Sequence, residues 1–234
     1  MARYAVSDLH GMYNLYKAID MSLKDGDTIY FLGDACDRGV RSWETLRDII
    51  INPNWHFIRG NHEQMLLDAL REYKELDGMT GNAQELCYYN GGDKTLDKIL
   101  SIGDSAIDWV ISKIQEMPTH LELINKQGIK ILLSHSGYRP EEEKKDYIWD
   151  RDHFRHSWPS DEKYKNTVMV HGHTPIPGYF MTEPMFLKDP GAYYYCGDRK
   201  INIDCGAVWT GYTTMLNLED FDETVFYVKP DENT

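Results

Sequence analysis

Cysteine is scarce in this chain of 234 residues: there are four, and no two of them form a Cys-x-x-Cys pair. Their spacing excludes a disulfide framework and a zinc knuckle as the basis of the fold, and it favours a reducing compartment. Long apolar runs are also missing, because no stretch approaches about 18 apolar residues, and the first strand-like segment leads directly to acidic Asp8. We therefore expect a cytoplasmic protein without a membrane span or an export signal.

Basic residues are too few for a chain that binds nucleic acid through its overall charge. Lysine and arginine total 25 against 38 aspartates and glutamates, which gives a net charge of −13. The electric field of a protein with this net negative charge repels polyanions. A phosphate-bearing substrate therefore needs local positive charge from metal ions or from arginines at the site. Proline is also rare, and with 41% hydrophobic residues the composition is that of a globular protein. No linker or internal repeat is visible, and we expect a single domain over residues 1–234.

The hydrophobic pattern predicts an α/β (α+β) fold. In the first half, apolar runs bounded by Gly and Asp alternate with segments of helical period, as in strand-helix-strand units. Asn14 and Ser42 are positioned to cap the first two helices. A mostly helical middle, broken at Asn90-Gly91-Gly92, precedes a second half rich in strands. We expect two packed β-sheets flanked by helices, with strands over Tyr4–Ser7, Thr28–Phe31, His56–Ile58, His120–Ile124, Ile129–Ser134, Val168–His171, Ile201–Cys205, Tyr212–Leu218 and Val225–Val228.

Polar clusters follow the predicted strands where each one ends. Sites of α/β proteins gather at the carboxyl ends of their strands, so we expect these clusters to lie together. Because side chains alternate along a strand, residues 8 and 10 are expected to point to the same side. The clusters are Asp8-Leu-His10-Gly11, Gly33-Asp34-Ala-Cys-Asp37-Arg38-Gly39, Arg59-Gly-Asn61-His62-Glu63, Ser134-His135-Ser136 and His171-Gly-His173-Thr-Pro175.

The side chains of these clusters suit divalent transition metals. Carboxylates, imidazoles and one amide, with no thiolate among them, are donors that manganese, iron or zinc accept. Their number fits two ions. A carboxylate can bridge two ions about 3.5–4 Å apart, and the centrally placed Asp34 is the candidate bridge.

In this order and spacing the motifs D-x-H-G, G-D-x-x-D-R-G, G-N-H-E, an isolated His after a strand and G-H-T-P resemble the calcineurin-like metallophosphoesterases. The similarity is greatest to the bacterial and phage-type serine/threonine protein phosphatases, and it extends over about residues 4–218. The resemblance implies two mixed β-sheets in a four-layer sandwich with outer helices. It also implies two divalent ions, manganese by preference, with iron or zinc as alternatives.

The resemblance assigns a role to each residue at a motif position. Asp8 and His10 bind the first ion, Asp34 bridges, and the second ion is bound by Asn61, His135 and His173.

Four further side chains would act on the substrate. His62 is the implied general acid for the leaving group, and Asp37 orients it. Arg38 and Arg151 hold phosphate oxygens through their forked donors. The expected reaction is in-line attack of a metal-bridging hydroxide on phosphorus, without a phosphoenzyme.

Three interpretations of the function stay open. The first is a phosphorylated protein, or a small phosphoester, hydrolysed by a serine/threonine phosphatase; Asp37 favours it, because the dinucleotide branch often has Asn there. The second is a hydrolase of diadenosine tetraphosphate and related nucleotides. The third is a catalytically silent metal-binding module, which is disfavoured because every expected catalytic position is filled.

The composition of residues 177–200 does not indicate which substrate the site would prefer. We expect this segment to form part of the rim of the site. Tyr193-Tyr-Tyr195 and Trp209 are expected mainly to pack, with a role at the rim as the alternative. His171 is expected to be a strand-end histidine outside the ligand set.

Overall fold

A computed structural model describes residues 1–230 of the chain. In this part of the chain the strands are β1 (Arg3–Val6), β2 (Thr28–Phe31), β3 (Trp55–Phe57), β4 (His120–Ile124), β5 (Lys130–Ser134), β6 (Thr167–His171), β7 (Tyr193–Tyr195), β8 (Lys200–Asn202), β9 (Tyr212–Asn217) and β10 (Glu223–Tyr227). They form two five-stranded sheets, with strand orders β10-β9-β1-β2-β3 and β4-β5-β6-β8-β7.

Both sheets are mixed. In the first, β1, β2 and β3 are parallel to one another. On the other side of β1, β9 pairs antiparallel with β1, and β10 pairs antiparallel with β9. In the second, β5, β6 and β8 are parallel, while β4 and β7 are antiparallel edge strands. The parallel strands at the centre of each sheet bring the loops that follow them to one edge of the molecule.

Helices cover the outer face of the first sheet. They are α1 (Tyr13–Ser22), α2 (Ser42–Ile51), α3 (Asn61–Glu75), α4 (Asn82–Tyr89), α5 (Asp93–Ile102) and α6 (Asp104–Glu116). Three short helices lie later in the chain: α7 (Ile176–Tyr179), α8 (Glu183–Phe186) and α9 (Ala207–Thr210). Apolar residues spaced three or four apart, such as Leu15 and Ile19 or Leu46 and Ile49, are fully buried in one cluster with β1, β2 and β3.

A second core lies between the two sheets. Ala5 and Leu32 from the first sheet pack with Ile131, Val168 and Ile201 from the second. Burying a side chain of this size contributes about 1.5–3 kcal/mol. The face-to-face packing of two sheets is the architecture that the sequence predicts.

The outer face of the second sheet is covered mainly by irregular chain. Leu132 and Met169 point outward from β5 and β6 and pack against Tyr138, Tyr147 and Trp158. The long connection from β5 to β6 contains these aromatic residues and two 3₁₀ helices, Asp152–Arg155 and Glu162–Tyr164.

The helix breaks were predicted better than the caps. Asn90-Gly91-Gly92 separates α4 from α5, and the φ of +88° at Gly91 ends the first of these helices. The capping prediction was wrong: neither α1 nor α2 has a side-chain cap. Ser42 is already inside α2, and its hydroxyl donates to the Gly39 carbonyl instead of accepting from the helix.

Among residues 1–230, no helix is both long enough and apolar enough to cross a bilayer. The four cysteines are free thiols, and three of them, Cys36, Cys87 and Cys205, are buried.

Candidate active site

The predicted ligands lie on tight turns just beyond the strands. Six of the ten non-glycine residues with positive φ in residues 1–230 are site residues: Asp8, His10, Asp34, Asp37, Arg38 and His173. This backbone conformation is costly for a residue with a Cβ, and it concentrates at functional sites. The expectation that strand alternation orients residues 8 and 10 was wrong, because β1 ends at Val6 and left-handed turns set their direction.

Asp34 occupies the centre of the cluster. Its Oδ2 lies 3.5 Å from His10 Nε2 and 3.8 Å from His62 Nε2. Its Oδ1 lies on the other side, 3.3 Å from His135 Nε2. The two oxygens of one carboxylate therefore face two separate groups of donors, which is the geometry that a bridging ligand needs.

The second group of donors is compact. Asn61 Oδ1 lies 2.8 Å from His135 Nε2 and 2.9 Å from His173 Nδ1. With Asp34, these side chains bring four potential ligand atoms together from four separate motifs. Asp34, His135 and His173 offer donor atoms that all lie within 4.8 Å of one another.

Backbone carbonyls orient two of the imidazoles. His10 Nδ1 lies 2.9 Å from the carbonyl oxygen of Cys36, and His135 Nδ1 lies 2.7 Å from that of Leu32. An Nδ1–H that donates to a carbonyl leaves the lone pair on Nε2, which is the ring atom that faces Asp34 in both residues. Such outer hydrogen bonds fix the tautomer of a metal-binding histidine.

Asp8 is buried beside the same cluster but is turned toward the backbone of the last motif. Its oxygens accept from the His173 N–H at 3.1 and 3.3 Å. Among the described residues, His10, Asp34 and His62 form the donor group on the Oδ2 side of Asp34, and Asp8 belongs neither to this group nor to that of Asp34, His135 and His173. Burial and the charge of Asp204 raise the pKa of Asp8 well above its ordinary value.

The donor set fits cations on electrostatic grounds. Asp8, Asp34 and Asp204 are each 2% exposed, so three carboxylates share a buried volume that disfavours negative charge. Burial raises the pKa of Asp204 to about 6. Burial opposes a proton on His135, but the neighbouring Asp34 outweighs it and raises the pKa of His135 to about 10. A divalent ion would supply the positive charge that this cluster attracts.

His62 and Asp37 form a buried pair at the edge of the cluster. His62 Nδ1 lies 2.8 Å from Asp37 Oδ2. Burial lowers the pKa of His62, but Asp34 and the hydrogen bond to Asp37 outweigh burial, and the net direction is upward. The pair has the geometry of an oriented general acid.

Both arginines and His62 open onto one cavity of about 190 Å³, while Asp37 is fully buried. Arg38 Nη1 lies 2.7 Å from His10 Nε2, and its Nη2 lies 2.9 Å from His62 Nε2. The cavity is lined by Asp34, Arg38, Asn61, His62, Asn90, Trp149, Arg151 and His173.

Glu63 is a supporting residue that was assigned no role from the sequence. It is fully buried on α3, and its carboxylate accepts from the backbone N–H of Asp34 and Ala35 at 2.8 Å and of Gly60 at 3.0 Å. Glu63 therefore connects the loop of the Gly33–Gly39 motif to the Arg59–Glu63 motif. An acidic residue at the third position of a helix that begins at a motif was the signal for this contact.

Segment 177–200 does not line the cavity, so the expectation that it forms part of the rim was wrong. Its Tyr195 hydroxyl instead lies 2.7 Å from His171 Nε2, deep in the second sheet. Trp209, by contrast, is 56% exposed, and its ring lies 5.5 Å from the Arg38 guanidinium. The tyrosines pack, as expected, while Trp209 lies at the edge of the site.

The geometry and the motifs agree with the comparison to known families. The calcineurin-like phosphoesterase family model matches residues 1–205, and the chain belongs to this family of metal-dependent hydrolases.

A symmetrical bis(5'-nucleosyl)-tetraphosphatase of Wigglesworthia glossinidia brevipalpis is 31% identical over 156 residues. That alignment covers 63% of this chain and 49% of the relative, so the chain spans about half the length of this curated relative.

Two solved structures share the fold at low identity. A protein provisionally assigned as a diadenosine tetraphosphatase has a TM-score of 0.63 at 15% identity, with 97% of this chain and 93% of that one covered. A serine/threonine phosphatase of Saccharomyces cerevisiae has a TM-score of 0.52 at 14% identity, with coverage of 98% and 80%. Both confirm the predicted fold class.

Proposed function

We propose that the chain is a dinuclear-metal phosphomonoesterase that acts on phosphoserine and phosphothreonine in proteins. The observation that carries this proposal is the buried pair of His62 and Asp37, 2.8 Å apart at the phosphate-sized cavity. A serine or threonine leaves as a strongly basic alkoxide, which needs a proton in the transition state. A nucleoside polyphosphate leaves as a weakly basic phosphate and needs little help. An oriented acid therefore favours the ester of an alcohol.

The predicted ligands are assigned to two ions. Asp8 and His10 would hold one divalent ion, and Asn61, His135 and His173 the other, with Asp34 between them. Ions bound there polarise phosphoryl oxygens and lower the pKa of a water molecule.

Arg38 and Arg151 would bind the phosphoryl oxygens from the cavity wall. When the Arg38 guanidinium turns from the histidines to the phosphate, Nε2 of His62 is released. His62 can then hold a proton at Nε2 for the leaving oxygen, while Asp37 fixes the ring through Nδ1.

The cavity size supports a small reacting group. At about 190 Å³ it is smaller than pockets that enclose drug-sized ligands, which are about 300–1,000 Å³. A phosphoryl group with a short side chain fits, and the rest of the substrate lies outside. The exposed side chains of Trp149 and Arg151 form the opening.

Manganese is the proposed native metal, with iron or zinc as alternatives, because the donors are carboxylate, imidazole and amide. The test is removal of metal by chelation and reconstitution with each ion. Mn²⁺ should restore the highest turnover of p-nitrophenyl phosphate. No turnover of any phosphoester with any of these ions would favour a silent metal-binding module.

The substrate is tested by a side-by-side measurement. We expect kcat/KM for a phosphothreonine peptide to exceed that for diadenosine tetraphosphate. The reverse order would overturn the assignment to proteins and leave the metallophosphoesterase chemistry intact.

The acid is tested with His62→Asn. General acids contribute about 10²–10⁴-fold, so turnover of the phosphothreonine peptide should fall by that factor. Turnover of p-nitrophenyl phosphate should fall much less, because nitrophenolate leaves without full protonation. Equal losses on both substrates would contradict the role of His62. His56→Asn, at an exposed histidine on β3 outside the cavity, is the matched control.

Dinucleoside polyphosphates are the second candidate substrates. The name of the Wigglesworthia relative favours them. So do the exposed rings of Trp149 and Trp209, which are 44% and 56% accessible and could stack on a nucleobase.

A further inference from the structure

Lys200 is an unusual buried cation. It is the first residue of β8 and is 1% exposed. Within residues 1–230 it has no carboxylate partner at ion-pair distance; its Nζ instead donates to the carbonyl oxygens of His153 at 2.6 Å and His156 at 3.0 Å. Burial lowers the pKa of Lys200. An unpaired buried ammonium is costly, and an apolar residue in its place would avoid that cost but could not make these two hydrogen bonds.

The two carbonyls belong to the end of the segment that carries Arg151. The 3₁₀ helix Asp152–Arg155 starts directly after Arg151, and both acceptors lie in or just beyond its last turn. The His153 carbonyl also accepts from the His156 N–H at 3.2 Å, so Lys200 is its second donor. Lys200 reaches both carbonyls from the second sheet, 47 residues away from His153 along the chain.

The same helix is fixed on a second side. The ring of His153 is fully buried, and its Nδ1 lies 3.3 Å from the hydroxyl of Tyr195. A Cβ at position 137 would clash with this ring, so Gly137 allows the close approach. Arg151 itself is exposed, lines the cavity, and has no hydrogen bond or ion pair to another residue of the described chain. The helix that follows Arg151 is therefore contacted from two sides, while the guanidinium of Arg151 is available to an anion.

We propose that Lys200 is a positioning residue for Arg151: its ammonium fastens the short helix after Arg151 so that the guanidinium is held at the phosphate cavity. This inference rests on the proposed phosphate-binding role of Arg151. A displacement of about 1 Å in a positioning group can cost up to about 10²-fold in rate. Loosening the helix should therefore weaken phosphate binding before it affects any other step.

The test is Lys200→Met, which keeps the length of the side chain and removes the donor. Two measurements do not require turnover: hydrogen–deuterium exchange of the amides of residues 152–156, and the Kd of inorganic phosphate for the manganese-loaded protein. We expect faster exchange in that segment and a Kd about tenfold higher. If the phosphomonoesterase proposal holds, KM for p-nitrophenyl phosphate rises similarly while kcat stays within about twofold.

A double-mutant cycle separates positioning from a general loss of stability. If Lys200 acts through Arg151, Lys200→Met should raise the Kd of phosphate no further in an Arg151→Ala background. Lys200→Arg, which keeps the donors, should restore most of the binding. Lys165→Met, at an exposed lysine paired with Glu162, is the control and should change nothing.

Three results would overturn the inference: unchanged exchange over residues 152–156, a phosphate Kd equal to that of the wild type, or an additive effect with Arg151→Ala. If the methionine variant does not fold, Lys200→Gln replaces it. Its shorter neutral amide cannot serve both carbonyls, so about a threefold rise in Kd is expected for the loss of part of the contact. Wild-type affinity in this variant would also contradict the proposal. Failure of the wild type to hydrolyse any phosphomonoester would refute the proposed function, and the exchange and phosphate-binding results would still stand.

Discussion

Two loops deliver the arginines of the cavity, and they are held in different ways. The loop of Arg38 is fixed by the neighbouring motifs: Glu63 binds its first two amides, and the Arg38 N–H donates to the Gly91 carbonyl at 2.8 Å. The loop of Arg151 is built on exposed turns, in which Asp146 and Asp150 accept from nearby backbone amides. Its main buried support is Lys200.

The difference indicates that the two loops have different roles, one in the chemical step and the other in substrate binding. The first loop carries Asp34, the proposed bridging ligand, and Asp37, the proposed partner of the general acid, so an error in its position would disturb the proposed chemistry itself. The second loop carries none of the predicted metal ligands, and its Trp149 and Arg151 line the cavity. Each of the following changes tests that division.

Asp34→Asn should have the largest effect. It removes charge from the one carboxylate that faces both donor groups. Because metal ions supply several kcal/mol of transition-state stabilisation, kcat/KM should fall at least about 10³-fold. Mass spectrometry of the native protein should show fewer than two bound ions. Full metal content with normal turnover would refute the bridging role, and Asp25→Asn, on an exposed turn, is the control.

Glu63→Gln should destabilise the first loop. The amide that replaces the carboxylate cannot accept all three backbone hydrogen bonds, and a buried group left without its partner costs about 1–3 kcal/mol. Denaturant unfolding should report a loss of this size. Glu75→Gln, at an exposed site on the same helix, should stay within about 0.5 kcal/mol. Equal stabilities of the two variants would show that Glu63 does not support the loop.

The two arginines should separate kcat from KM. Arg38→Ala should lower kcat and raise KM, because Arg38 contacts His10 and His62 as well as the cavity. Arg151→Ala should raise KM about tenfold, as expected for the loss of a charge-assisted hydrogen bond, and leave kcat nearly unchanged. Steady-state kinetics with p-nitrophenyl phosphate measures both. Identical profiles for the two variants would remove the distinction between the loops.

Trp149→Ala should have the smallest effect on a simple substrate. Its ring is at the opening of the cavity, so KM for p-nitrophenyl phosphate should change less than about threefold, in line with other exposed positions. Diadenosine tetraphosphate is the informative comparison, because losing a base-stacking contact costs about 1–3 kcal/mol. A rise of tenfold or more in its KM alone would favour the nucleotide candidate.

The same contrast explains what could be predicted from the sequence. Asp34, His62 and His135 each follow a short buried strand, so local pattern and parallel topology were enough to bring them together. Lys200 acts through backbone carbonyls, and such contacts leave no spacing signal, because a carbonyl is present at every position. Glu63 also binds backbone groups, but its place at the third position of α3 was a signal for one of these contacts. The direction of Asp8 and His10 was missed for a related reason: strand periodicity says nothing about a residue in a left-handed turn.

The concentration of left-handed backbone at the ligand turns has a consequence for how this centre acquires its ions. Four of the predicted ligands, Asp8, His10, Asp34 and His173, are oriented by torsion angles that the folded scaffold enforces, so their orientation is set during folding. An incoming cation would meet donors that are already preorganised and would need to reorder few of them. Affinity is thereby set by the scaffold, and a substitution that relaxes one of these turns should weaken metal capture even where every coordinating atom is retained.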